Sequence, residues 1–143
     1  MKILLRNLLA LILGLVLGSV VNMALVVVGP RLIPPPDGVE MTTAEGLAAG
    51  AHLLTPRHFL FPFLAHAAGS FVGALIAHLG AATRRSALAY TVGALFLAGG
   101  ITAAFMIPSP PWFIALDLLV AYIPMACLGR RLGLRIRPEG AGR

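Results

Sequence analysis

Apolar runs of about 20 residues recur along this chain, and they leave few folds open. Wound as a helix at about 1.5 Å per residue, such a run spans the roughly 30 Å hydrocarbon core of a bilayer. Four runs can be counted, at about 8–29, 59–79, 88–107 and 112–128. Hydrophobic residues make up 59% of the chain and charged residues 11%, and the charges collect between the runs. The pattern predicts an all-α integral membrane four-helix bundle, formed by residues 1–143 as a single transmembrane domain. With 143 residues, four spans and their loops use the chain up. Any activity is therefore expected in the bundle or in its one long loop, at 30–58.

Charge sets the expected orientation. Lys2 and Arg6 precede the first run, Arg84 and Arg85 lie between the second and third, and Arg130, Arg131, Arg135, Arg137 and Arg143 follow the fourth. Those are nine of the eleven basic residues; only Arg31 and Arg57 fall on the other side, beside Asp37, Glu40 and Glu45. The positive-inside rule then puts both termini and a tail at 129–143 in the cytoplasm, and the long loop outside a bacterial inner membrane. A net charge of +6 also suits nucleic acid, but interleaved basic and aromatic residues are absent, so no nucleic-acid partner is expected. A basic start before an apolar stretch also describes a signal peptide. Here the run is long, contains Asn22 and ends in Gly29-Pro30 without a small-x-small cleavage pattern, which favours a retained helix.

In the long loop, Pro34-Pro35-Pro36 is stiff and extended. Thr42 with Glu45 offers a capping box, and 43–54 has the composition of a short helix on the outer surface. Thr55-Pro56 then supplies a cap and a first-turn proline for the second span. A tandem of two helical hairpins is also suggested. Gly18-Ser19 and Gly99-Gly100 lie in the first and third helices, and Thr55-Pro56 and Ser109-Pro110 open the second and fourth, each followed by aromatics.

Each helix contributes one polar side chain in its outer half: Asn22, His66, Thr102 and Asp117. A carboxylate inside a span costs several kcal/mol, so Asp117 is expected to face protein or a wet cavity. His66 is the one nearby group able to pair with it by charge. Such a layer is able to relay a proton or bind a small polar solute; Asn22 and Thr102 also suit plain helix-to-helix hydrogen bonding. Gly14-x-x-x-Gly18 and Gly69-x-x-x-Gly73 read as grooves for close helix approach, within a protomer or toward a second copy or partner membrane protein.

Other chemistries find little support. A membrane haem wants two histidines at suitable depth, and His78 lies three turns from His66 on the same helix. His52, His58 and Glu45 lack tight zinc spacing. No serine elbow accompanies His66 and Asp117, and no phosphate-cradling glycine loop occurs. Cys127, the single cysteine, reads as a small apolar filler. No cofactor and no metal are expected, and an enzyme is the less favoured class.

Three stretches look like signatures: Pro56 to Gly69, Gly18-Ser19-Val20-Val21-Asn22-Met23, and Pro108-Ser109-Pro110-Pro111-Trp112-Phe113 with Asp117. Together they resemble a family of small four-helix bacterial inner-membrane proteins. The resemblance covers nearly the whole chain, implies this fold, and carries neither an activity nor a site residue. The leading functional expectation is proton-linked transport or binding of a small solute at Asp117, His66, Asn22 and Thr102, by a dimer or larger assembly. Its rivals are an accessory subunit of a membrane complex and an intramembrane enzyme acting on lipid or quinone.

Overall fold

The computed structural model describes residues 1–40 and 43–138. Among them the chain forms helices and no strands: α1 (Lys2–Leu32), α2 (Ala44–Gly50), α3 (Leu60–Gly80), α4 (Arg85–Met106), α5 (Pro111–Leu116) and α6 (Ile123–Ile136). A 3-10 turn at Pro56–Phe59 leads into α3, and a π-helical segment at Asp117–Ala121 joins α5 to α6. Four helical units are long and apolar enough to cross a membrane: Lys2–Leu32, Pro56–Gly80, Arg85–Met106 and Pro111–Ile136. The protein is a multi-pass membrane four-helix bundle.

The helices outrun the apolar stretches that announce them. α1 starts at Lys2 and passes through Pro30, closing with an Ile33 N–H to Gly29 O bond of 2.8 Å. The last span continues to Ile136 and carries Arg130, Arg131 and Arg135 on helix, where a tail from 129 was expected. Basic side chains at a span's end reach along the helix toward water, so the backbone stays helical after the apolar count has stopped. α2 is shorter than the expected 43–54 helix, because a 3-10 turn takes over at Ala51–Leu53. Its cap is Thr43, whose Oγ1 accepts from the Gly46 N–H at 3.0 Å. Thr42, the anticipated cap, lies outside the described residues.

α3 is the central helix and packs on α1, α4 and α6. Its seam with α1 is built from glycines in register. A Cβ on Gly18 would lie 2.7 Å from the Gly69 carbonyl oxygen, and one on Gly73 would lie 2.8 Å from that of Gly14. Only hydrogen in place of a side chain lets the two backbones come this close. These grooves are filled within the protomer, so they are not free to receive a partner helix. Toward α4 and α6 the filler is alanine, with Ala74, Ala89 and Ala126 fully buried together. α4 and α6 meet less extensively than α1 and α3, and α3 has no counterpart to the π segment. The bundle is thus organised around one helix.

At the end opposite the long loop, α3 stops with its last carbonyls in need of donors. Arg6 Nε donates to Gly80 O at 3.0 Å, and Arg137 Nη1 donates to the carbonyls of Leu79 and Ala81. Asn7 clamps the turn into α4: its Oδ1 accepts from the Ala82 and Thr83 N–H groups at 2.8 and 3.2 Å, and its Nδ2 donates to Thr83 Oγ1 at 2.9 Å. Asn7→Ala is expected to lower unfolding stability by about 1–2 kcal/mol, the sum of three modest bonds partly open to water. Thermal denaturation in detergent measures it, and Asn7→Asp, which keeps both amide bonds, should recover most of the loss.

Candidate functional site

The fourth span is interrupted where its chemistry sits. Pro124 has no N–H for the turn before it, and its ring crowds the carbonyl four residues back. The chain answers with the π-helical segment from Asp117 to Ala121, ending at Tyr122 with φ −109° and ψ −80°. Wider turns of this type recur at functional sites. The segment brings residues five apart onto one side, so the Tyr122 hydroxyl donates to Asp117 Oδ2 at 2.8 Å.

His66 completes the cluster from α3. Its Nδ1 lies 2.9 Å from both Asp117 oxygens. Its ring also stacks on that of Tyr122, with centroids 5.6 Å apart and planes inclined by 28°. The Asp117 side chain is 7% exposed and that of His66 24%. A carboxylate this deep is held by the imidazole and by the third bond from Tyr122, because without partners its charge would be costly there. Gly100 on α4 makes room for the phenol: a Cβ there would overlap the Tyr122 hydroxyl and ring.

A cavity of about 220 Å³ opens on the side of the long loop, and His66 and Asp117 lie on its wall. The rest of the wall is mostly apolar. Phe59 and Phe113 pack at 4.8 Å, and Trp112 meets both edge-on at 5.6 and 5.9 Å. His58 reaches the same cavity but is fully engaged. Its Nδ1 accepts from the Thr55 N–H at 2.9 Å, so its Nε2 carries the proton and faces Pro34 O at 3.2 Å. This histidine straps the proline segment of the long loop to the start of α3.

Of the four expected site residues, the structure unites Asp117 and His66. Asn22 sits on the α1–α3 seam with its Cβ against Gly69. Thr102 is exposed and donates to the Ala98 carbonyl of its own helix at 2.9 Å. That i−4 bond satisfies the hydroxyl locally, so depth in the span did not translate into facing the site. Tyr122 and Gly100 take their places, Gly100 because its missing side chain leaves room for the phenol. Among the described residues no group of three metal-ligating side chains occurs. Ser109 also lines the cavity.

Comparison with protein-family models, with curated proteins and with solved structures finds no match. What the site does has to follow from its own geometry.

Proposed function

We propose that this protein binds a small solute in the cavity beside Asp117 and His66 and couples its passage across the bacterial inner membrane to a proton on that pair. The observation that carries the proposal is a carboxylate buried inside a span, 5% exposed as a residue, paired to an imidazole that still reaches a cavity. A proton arriving from the cavity takes the free lone pair of the imidazole and changes the charge of the pair from −1 to 0. In a medium of low dielectric that is a large electrostatic change, and it falls on the one interrupted span. Helices broken at a binding site near mid-membrane are a recurring device of transporters, since the break lets one half move against the other. The side of the cavity away from the loops is closed by tightly packed alanine and glycine, as an outward-open resting state requires.

The excess of Lys and Arg at the end bearing Arg6, Arg85 and Arg137 supports cytoplasmic termini. A bundle of four spans offers a narrow path, which favours a homo-oligomer as the working unit. With the α1–α3 glycines filled, association would use other faces.

The test uses protein in vesicles with a trapped pH dye and an imposed proton gradient. Cyclohexanol, cyclohexanecarboxylate and cyclohexylamine are added in turn. At least one is expected to change the rate of luminal acidification, and Asp117→Asn is expected to abolish that change with the protein level unchanged. An equal change in Asp117→Asn, or none with any solute, overturns the proposal.

A further inference from the structure

The hydrogen bonds around His66 also restrict what the cavity takes. Asp117 accepts from His66 Nδ1 and from the Tyr122 hydroxyl. A carboxylate beside it keeps the Nδ1 proton in place, so the neutral ring presents Nε2 as a bare acceptor. Nε2 has no hydrogen-bond partner among the described residues, and His66 lines the cavity. The site therefore lacks a donor to give it. Of the other polar side chains on the wall, the Asp117 oxygens are occupied and both His58 nitrogens are bonded to Thr55 and Pro34, which leaves the Ser109 hydroxyl as the second polar group open to a ligand.

Charge narrows the class further. Among the described residues no Lys or Arg lines the cavity, so an anionic ligand finds no Lys or Arg counterion in that wall. A cation finds Asp117 closed off, with its side chain 7% exposed and both oxygens bonded. Size sets the last limit. A closed apolar cavity of about 150 Å³ holds benzene, so one of about 220 Å³ suits roughly nine non-hydrogen atoms.

We infer that the ligand is a neutral, ring-sized apolar molecule bearing one hydroxyl, whose O–H donates to His66 Nε2 while its body lies against Phe59 and Phe113. This rests on the solute-binding role proposed above and adds the chemical class. It also gives the proton coupling a location. Solute hydroxyl and proton claim the same lone pair, so each excludes the other. The titratable groups facing that nitrogen's surroundings are Asp117 and Tyr122 on the fourth span and His58 on the turn before α3; α1, α2 and α4 contribute none to the cavity wall.

Trp112 is the single tryptophan and touches both cavity phenylalanines, so its fluorescence reports occupancy. Cyclohexanol, cyclohexanone, cyclohexanecarboxylate and cyclohexylamine are titrated into the detergent-solubilised protein. Cyclohexanol is expected to give a saturable change at a concentration at least about tenfold below the other three, the factor set by one hydrogen bond to a buried acceptor. His66→Asn keeps a donor at the position of Nδ1 for Asp117 and deletes Nε2. In it, cyclohexanol and cyclohexanone should bind alike. A ketone, acid or amine that binds wild type as tightly as the alcohol overturns the ligand class and leaves solute binding standing. An alcohol preference that survives in His66→Asn overturns the role of Nε2. No saturable change with any probe overturns both the class and the solute-binding role.

Discussion

Gly100→Leu is expected to eliminate ligand-dependent changes in Trp112 fluorescence and to do so by dismantling the Asp117 cluster from behind. The Tyr122 hydroxyl and ring lie where the new side chain must go, and that ring is fully enclosed with no room to retreat. Its displacement removes the hydroxyl from Asp117 Oδ2, leaving a buried carboxylate with His66 alone. It also removes the stacking partner that fixes the His66 plane. Loss of a hydrogen bond to a buried carboxylate costs about 1.5–3 kcal/mol. Overpacking adds about 1–3 kcal/mol. Thermal unfolding in detergent should drop sharply along with binding. Gly99→Leu, one residue away with nothing within 4 Å, is the control and should leave both unchanged. Equal behaviour of the two variants would show that Tyr122 is not held by Gly100.

Gly18→Leu is expected to part α1 from α3. The obstacle on one side is the Gly69 carbonyl oxygen at 2.7 Å, which no rotamer change can move, and on the other the Phe96 ring at 3.0 Å. The two helices must separate along a seam that also includes Gly14 and Gly73. We expect a loss of about 3 kcal/mol or more, the upper range for overpacking, because backbone is what must shift. The measurement is disulfide formation between cysteines placed at Ala10 and Gly80, where the Cβ positions are 3.1 Å apart, in a background lacking Cys127: efficient in the parent and lost in Gly18→Leu. α1 itself should remain inserted, since only 11% of its apolar window is buried in the protein and the rest suits lipid. Undiminished cross-linking would mean that the seam tolerates bulk and that close approach is incidental.

Much of this architecture can be read from the residues because lipid imposes a length rule. The four spans follow from apolar run length, and Asp117 and His66 stand out because charge is rare at that depth. What run length cannot supply is rotation. Thr102 and Asn22 lie at depths that fit the polar layer but point elsewhere, and a helix's facing is decided by its neighbours. Tyr122 was hidden for a different reason. Five residues on an ideal α-helix turn through about 500°, leaving Asp117 and Tyr122 about 140° apart. Only the π-helical segment brings them together. Pro124 was the available signal, because a proline inside a span demands some irregularity just before it.

The capping of α3 fixes an order of events during biosynthesis. Residues 79 and 81 leave the ribosome more than 50 residues before residue 137, which closes their carbonyls. Asn7 and Arg6, by contrast, are already waiting when the turn at 80–83 appears. A nascent chain with three spans inserted thus has one clamp in place and one missing. Its central helix stays frayed at one end until the final turn of the fourth span is delivered, so a chain stalled or cut before that point keeps an exposed, incompletely bonded end that quality-control proteases can engage.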